Sequence, residues 1–238
     1  MVNGSKPSTT LLATLTVLTV VSGVLDAVSY LGLGHVFTAN MTGNVLLLGF
    51  AAAGAPGFSI AASLASLGSF LVGAAAAGRV TLRVTSRRQW LLIAMVIEGL
   101  FAGAAATVSA VHSGVVTSGS GRYTVIAVLA FAMGVRNSTI RRLAVPDITT
   151  TVLTMTLTGL AADSSLAGGS NPKVERRSSA IAAMLVGAVS GAALYLHTGS
   201  TWPLVVVAVT ALVTALVFAA SPSSRLLDVA GDAGGSSS

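Results

Sequence analysis

Charged residues are scarce in this sequence of 238 residues. Asp, Glu, Lys and Arg together make up 8% of the chain, whereas a soluble globular domain carries roughly 25%. So little charge cannot cover a water-facing surface, and we expect the solvent of this chain to be lipid. The hydrophobic fraction of 53% and the mean hydropathy of +0.87 agree. The composition predicts an all-α integral membrane protein, with the lipid bilayer as its first partner.

Cysteine is absent, which excludes disulfides, thiol catalysis and Cys-ligated metals. The chain also lacks a His-Glu-x-x-His motif, a P-loop, a Gly-x-Ser-x-Gly elbow and a dinucleotide fingerprint. We therefore expect no enzyme activity, no cofactor and no metal. The net charge is +6, but the basic residues form short clusters between apolar runs. That pattern is typical of cytoplasmic loops, so no nucleic-acid partner is expected.

Apolar runs fill most of the chain. A transmembrane helix needs about 20 apolar residues, and eight runs approach that length. They lie near residues 10–33, 37–55, 57–80, 90–111, 123–142, 147–166, 178–197 and 202–220. The pattern predicts an N-terminal tail over 1–9, a single membrane domain over 10–220, and a disordered, Ser- and Gly-rich C-terminal tail over 221–238.

The distribution of basic residues decides which runs cross. If all eight cross, the basic residues of tails and loops divide six to six, and the positive-inside rule is ignored. If runs 37–55 and 147–166 enter and leave on the same side, only Arg122 is outside and Arg136 lies within a span. The other eleven of the 13 basic residues are then inside: Lys6, Arg79, Arg83, Arg87, Arg88, Arg141, Arg142, Lys173, Arg176, Arg177 and Arg225. We predict six spans with both termini cytoplasmic; an eight-helix bundle is the alternative.

Six spans imply two halves of three, near residues 10–111 and 123–220. Each half then contains one re-entrant or broken segment after its first span. Because three is odd, the two halves have opposite orientations in the membrane. The sequence thus predicts a 3+3 inverted repeat, an arrangement common in secondary transporters.

Two motif segments mark corresponding places in these halves. The first comprises Gly23-Val24-Leu25-Asp26-Ala27 and then 37–44; the second comprises Gly134-Val135-Arg136-Asn137-Ser138 and then 149–156. Both read Gly-x-x-(Asp/Asn)-small, followed by a hydroxyl-rich stretch that contains (Met/Leu)-Thr-x-(Asn/Thr). Polar residues placed twice in apolar sequence predict a duplicated half with a binding site between the copies.

Three charged residues fall inside predicted spans, where a charge is costly and its default interpretation is functional. Glu98 and Arg136 lie in the inner third of the membrane and could pair, whereas Asp26 lies nearer the outer third. The structural alternatives are snorkelling of Arg136 to the cytoplasm and a hydrogen bond from Asp26 to a neighbouring helix end. The candidate substrate- or ion-binding residues are Asp26, Thr38, Asn40, Thr42, Asn44, Glu98, Arg136, Asn137, Thr150 and Thr154.

The residues Asp26-Ala27-Val28-Ser29-Tyr30 and Ala39-Asn40-Met41-Thr42-Gly43-Asn44 resemble the YoaK family. The second half fits through Gly134-x-Arg136-Asn137 and the Thr-rich stretch 149–158, although Met155 stands where a second Thr-Gly is expected. The resemblance covers about residues 10–220. It implies a multi-pass protein of the bacterial inner membrane, in a family labelled as a domain of unknown function, and it implies no particular activity.

These observations favour a small-solute secondary transporter or permease of the bacterial cytoplasmic membrane, with an unknown solute or ion as its second partner. Asp26 is the candidate coupling-ion or proton site, and Arg136 is the candidate partner of an anion or carboxylate. Two alternatives use the same parts: a passive channel, and a non-transporting scaffold or partner subunit. The sequence leaves the substrate unnamed and a homo-oligomer open.

Overall fold

The computed structural model describes residues 8–80, 86–111, 119–143, 153–170 and 173–225. These residues contain eight α-helices and no strand, so the all-helical prediction is confirmed. Each helix falls on one of the eight apolar runs. The helices are α1 Thr9–Gly32, α2 Met41–Ala52, α3 Ile60–Val80, α4 Arg87–Val111, α5 Ser120–Leu143, α6 Leu153–Ala162, α7 Val174–Thr198 and α8 Thr201–Ala220.

Six helices are long and apolar enough to cross a membrane: α1, α3, α4, α5, α7 and α8. The α2 helix has 12 residues and the described α6 helix has 10. At 1.5 Å per residue α2 is about 18 Å long, well short of a hydrocarbon core about 30 Å thick. The predicted number of spans is therefore confirmed among the described residues, and the chain is a multi-pass membrane protein.

Local sequence explains where α1 and α2 begin and end. The Ser8 hydroxyl accepts the Leu11 N–H (3.3 Å) at the start of α1. Past its end, Gly34 and His35 have positive φ angles of 90° and 56°, which turn the chain back toward the protein. Asn40 then caps α2 by accepting the Gly43 N–H (3.3 Å). Residues 33–40 thus form a folded-back loop between a full span and a short helix.

The spans pack in three main pairs: α1 with α7, α3 with α5, and α4 with α8. Glycines allow two of these pairs to approach closely. Gly23 and Gly187 lie where α1 crosses α7, and Gly73 and Gly134 lie where α3 crosses α5. A Cβ added at any of the four would overlap the backbone of the facing helix. Between helices in lipid there is no hydrophobic driving force, because the acyl chains are as apolar as the side chains. Close packing at small residues drives the association of helices instead.

The most buried of the six spans are α1 and α5, while α3 and α7 turn most of their surface outward. Between the polar ends of α7, most of the exposed side chains are apolar, including Leu185, Val189 and Leu196. Such a surface suits acyl chains. Side chains on the inner faces of α1 and α5 are correspondingly the ones shielded from both lipid and water.

The C-terminal end of α8 is anchored rather than free. Residues 222–225 form one turn of 3-10 helix, although the sequence placed them in a disordered tail. Arg88, at the start of α4, donates to the Ser224 hydroxyl (2.8 Å) and to the Ala219 carbonyl (2.7 Å). A cationic side chain at the last carbonyls of a helix satisfies groups that have no partner within the helix. Residues 226–238 lie outside the described residues.

Candidate functional site

Asp26 lies on the inner face of α1 and is buried. Its Oδ1 accepts the backbone N–H groups of Thr38 (3.1 Å) and Ala39 (2.8 Å) in the loop before α2. Buried backbone N–H groups outside helices need hydrogen-bond partners elsewhere in the protein. Asp26 supplies two of them. This is the hydrogen bond to a neighbouring helix end that the sequence allowed as the structural alternative.

Asn44, on the first turn of α2, holds the same loop from the other side. Its Oδ1 accepts the Phe37 N–H (2.8 Å), and its Nδ2 donates to the Phe37 carbonyl (2.7 Å) and to the Ser66 hydroxyl (3.0 Å). Ser66, on α3, also donates to the Phe37 carbonyl (2.6 Å). Sequence reasoning did not select Ser66. The signal was its place in a row with Ser63 and Ser69, spaced by three residues on one helix face.

The remaining candidates of the first motif divide by burial. Thr38 is fully buried, and its hydroxyl makes no hydrogen bond. Asn40 and Thr42 are exposed, and Asn40 acts as the cap of α2. Thr38 therefore joins Asp26 and Asn44 in the interior, whereas Asn40 and Thr42 lie on the outside of the loop.

Arg136 on α5 and Glu98 on α4 form a buried ion pair, with 2.6 Å between Nη1 and Oε1 and 1% exposure of each side chain. Arg136 also donates to the Leu18 carbonyl (3.2 Å) and to the Ser22 hydroxyl, both on α1. One guanidinium thus joins three spans. Arg136 does not snorkel, because its planar fork reaches bonding partners without leaving the interior.

Asp26, Glu98 and Arg136 form what we call the buried charged cluster. Ser22, which accepts from Arg136, lies one helical turn before Asp26 on α1, and the Arg136 guanidinium is near enough for its charge to act on Asp26. The cluster contains two acids and one base. Among the described residues, the buried polar atoms without a hydrogen-bond partner include Asp26 Oδ2, Glu98 Oε2 and Arg136 Nε of the cluster, and also Thr38 Oγ1, Ser63 Oγ and Asn137 Nδ2. Unpartnered buried polar atoms are rare in proteins, and they are what a bound ion, proton or solute would satisfy.

The second motif contributes less to this region. Asn137 is half-buried on α5, directly after Arg136. Thr154 is exposed on α6, where the buried hydroxyl residue is Thr156, which the site prediction left out. Thr156 belongs to the second motif segment, 149–156, but it was not selected because tertiary packing decides which of these threonines faces the interior. Thr150 lies outside the described residues.

An open groove of about 580 Å³ lies elsewhere, between α3, α4 and α5. Its walls are almost entirely apolar and include Leu64, Val72, Phe101, Val128 and Phe131. None of the predicted site residues lines it. The groove therefore suits hydrocarbon rather than a polar solute.

The fold and the cluster define the class: a multi-pass, all-helical membrane protein with ionisable side chains buried among its spans. Residues 14–217 match the family described as "Protein of unknown function (DUF1275)", and the chain belongs to that family. It is 33% identical over 154 residues to the UPF0700 transmembrane protein YoaK of Bacillus subtilis (strain 168), a match covering 63% of this chain and 65% of that protein. The chain thus matches just under two thirds of the length of that curated relative. The YoaK-family resemblance is confirmed, and no solved structure matches the chain.

Proposed function

We propose that the protein is a secondary transporter or permease for a small solute in the bacterial cytoplasmic membrane. Its two halves, α1–α4 and α5–α8, would be inverted repeats, and its site would be the buried charged cluster between them. The observation that carries the proposal is the way the helix crossings repeat when the halves are exchanged.

The pairing of helices supports a pseudo-two-fold relation. Exchanging the halves turns α1 into α5, α2 into α6, α3 into α7 and α4 into α8. The α1–α7 pair then becomes the α5–α3 pair, and the α4–α8 pair becomes itself. Two further pairs of contacts follow the same exchange: α2 packs on α3 as α6 packs on α7, and α4 packs on α5 as α8 packs on α1. The smaller α7–α8 contact has no comparable counterpart between α3 and α4 in the described residues.

The contacts where α1 crosses α7 support this relation. A Cβ at Gly23 would overlap the Met184 carbonyl, three residues before Gly187. A Cβ at Gly187 would overlap the Val20 carbonyl, three residues before Gly23. The two glycines therefore face each other reciprocally.

The crossing of α3 and α5 uses the same positions. A Cβ at Gly134 would overlap the Phe70 carbonyl, three residues before Gly73. A Cβ at Gly73 would overlap the Phe131 carbonyl, three residues before Gly134. Gly23 and Gly134 are the first residues of the two motif segments. Their matching contacts support the interpretation of those segments as copies.

The direction of the helices agrees with a six-span chain. Gly187 contacts Val20 and Gly191 contacts Val24, so α1 and α7 advance together. With α3, α4 and α5 crossing between them, α1 and α7 would cross the membrane in the same direction. The first span of one half, α1, would then run in the opposite direction to the first span of the other half, α5. This is the inverted arrangement of many transporters.

The buried charged cluster lies where the two halves touch. Arg136 comes from the second half, whereas Glu98, Ser22 and Leu18 come from the first. An anionic solute would compete with Glu98 for the guanidinium, since Arg binds carboxylate and phosphate groups with a planar fork of donors. Rocking of the halves about this contact would break and remake the ion pair.

The test uses the full chain in detergent and in proteoliposomes. A thermal-shift screen finds the small solutes that stabilise it, and flux assays with and without ion gradients follow. The Arg136→Gln/Glu98→Gln double variant removes both charges without stranding either one, and Arg177→Gln is the control because its partner Asp163 is at the surface.

We expect gradient-dependent uptake in the wild type and in Arg177→Gln, and at least a hundredfold slower uptake in the double variant. Uptake that no ion gradient accelerates would make the protein a passive channel. An absence of flux with every stabilising solute would contradict the proposal in favour of a scaffold or partner subunit.

A further inference from the structure

We propose that the Asp26 carboxyl is a proton-binding site, and that its proton sets how firmly residues 37–40 are held against α1. Its role as the coupling site rests on the proposed function. The binding of the proton and its effect on the loop do not.

The buried charges of the interior do not balance, and this is the first reason to expect a proton on Asp26. Glu98 and Arg136 neutralise each other at 2.6 Å. Asp26 makes no ion pair in the described part of the chain, although it is only 4% exposed. An unmatched carboxylate at membrane depth is costly, so the cluster is one positive charge short.

No other ionisable side chain of the surrounding elements supplies that charge at depth. The α2 and α8 helices contain none. On α3, α5 and α7 the remaining ionisable side chains lie near the helix ends, and α4 adds only Arg87 and Arg88 at its start. The end groups are Arg79 on α3, Arg122, Tyr123, Arg141 and Arg142 on α5, and Glu175, Arg176, Arg177, Tyr195 and His197 on α7. Tyr30 and His35 lie at the outer end of α1, and His35 bonds to the Gly57 carbonyl.

The contacts of Asp26 favour a proton over a metal ion. Its Oδ1 faces two N–H donors, whose partial positive charges oppose a cation, just before the N-terminus of α2. In the described part of the chain, Asp26 Oδ2 has no hydrogen-bond partner. The hydroxyl of Thr38, whose N–H bonds to Oδ1, also has none. A proton on Oδ2 converts the carboxylate to a neutral acid and creates one O–H donor. The acceptor we propose for it is the Thr38 hydroxyl, because the N–H of the same residue already bonds to Oδ1. A metal ion would need several more oxygen ligands.

Protonation of Asp26 weakens the hydrogen bonds that hold the loop, residues 37–40, against α1. An ionised Oδ1 accepts charge-assisted hydrogen bonds, which are roughly twice as strong as neutral ones. The neutral acid therefore holds the Thr38 and Ala39 N–H groups less firmly, and opening of residues 37–40 becomes about tenfold more frequent, equivalent to about 1.4 kcal/mol. In the predicted topology this loop faces the outside, so an external proton would loosen it.

Infrared difference spectroscopy tests the proton directly. The chain has only seven Asp and Glu residues, so the signal is tractable. On acidification of the full chain in lipid nanodiscs we expect a protonated-carboxyl band that Asp26→Asn lacks and Asp163→Asn, the control at a surface carboxyl, retains. Thr38→Val, which keeps the N–H but removes the hydroxyl, should shift that band, and it covers the case in which Asp26→Asn does not fold. An unchanged band in both Asp26→Asn and Thr38→Val would overturn the proposal.

Hydrogen exchange tests the loop. After correction for intrinsic exchange, the protection of the Thr38 and Ala39 amides should fall about tenfold on acidification, while amides of residues 45–52 stay constant. In Asp26→Asn, which keeps an oxygen acceptor without the charge, protection should be low at every pH. At fixed pH, sodium chloride in place of choline chloride should change nothing. Protection that follows sodium and ignores pH would replace the proton by a metal cation and refute the proposal.

The failure of this inference differs from the failure of the proposed function. A pH-dependent Asp26 band without any solute flux leaves the proton site standing and removes transport. Solute uptake with no Asp26 band leaves transport standing and removes the proton site.

Discussion

At the scale of single residues, side chains of the interior take the place of missing backbone partners. Asn44 does for Phe37 what a neighbouring strand would do, because its amide both accepts from the N–H and donates to the carbonyl. Asp26 serves the next two N–H groups. The charge patterns of the sequence indicated Asp26, Glu98 and Arg136, but not Ser22, Leu18 or Ser66. Those partners come from other helices, and a local pattern contains no information about which faces meet.

Replacing Asn44 tests how much its side-chain hydrogen bonds to the Phe37 backbone contribute to stability. Asn44→Ala leaves the part-buried Phe37 N–H without its partner and removes one of two donors to the Phe37 carbonyl, so we expect a loss of about 2–4 kcal/mol in the free energy of unfolding. Asn40→Ala, which removes only an exposed cap, should cost about 1 kcal/mol. Denaturation of the two variants in mixed micelles gives the comparison. Equal losses would mean that the interior bonds of Asn44 contribute little.

The Glu98–Arg136 pair predicts strong coupling in a double-mutant cycle. Arg136→Gln alone strands a buried carboxylate, and Glu98→Gln alone strands a buried guanidinium; each should cost about 3–5 kcal/mol. The double variant should recover most of that loss, because neither member of the pair is left without its counter-charge. The melting temperatures of the four proteins report the cycle. Additive losses would show that the two charges do not depend on each other.

At the scale of helices, the sequence predicted the positions of all eight helices of the described residues. The extent of α2 was predicted least well. The run 37–55 is apolar throughout, yet helix begins only at Met41. The preceding residues bond to Asp26, Asn44 and Ser66 instead of to each other, and such long-range bonds leave no periodic trace. The Gly34 turn was the local signal that the chain reverses there.

Two glycines on α3 test the close crossings. Gly73→Ala would place a methyl group against the Phe131 backbone of α5, and we expect a loss of at least about 2 kcal/mol as the helices separate. A Cβ at Gly78 would meet nothing within 4 Å, so Gly78→Ala on the same helix should be neutral or gain up to about 1 kcal/mol from helix propensity. The free energies of unfolding of both variants, measured in the same detergent, give the comparison. An unchanged Gly73→Ala protein would show that the crossing has room to spare.

At the scale of the whole molecule, orientation in the membrane follows from basic residues rather than from packing. Reporter fusions at residues 56 and 116 should read outside, and fusions at residues 85 and 173 should read inside, because the basic clusters stay in the cytoplasm. An outside signal at residue 173 alone would mean that the run 147–166 crosses. Reversed signals at residues 85 and 116 would invert the whole topology.

The pairing of α1 with α7 also constrains how the protein is made. The α1 helix, which carries Asp26 and the motif glycine Gly23, is synthesised long before α7, yet α7 is its principal neighbour. Until Gly187 is synthesised, the face of α1 that contains Val20, Gly23 and Val24 lacks its α7 neighbour. We expect α1 to remain until then in the translocon, in an insertase or in provisional contacts. Biogenesis therefore cannot proceed helix by helix from the N-terminus. A nascent chain halted after α6 is expected to be a substrate for membrane proteases, and its lifetime in a pulse–chase experiment should lengthen only when α7 is included.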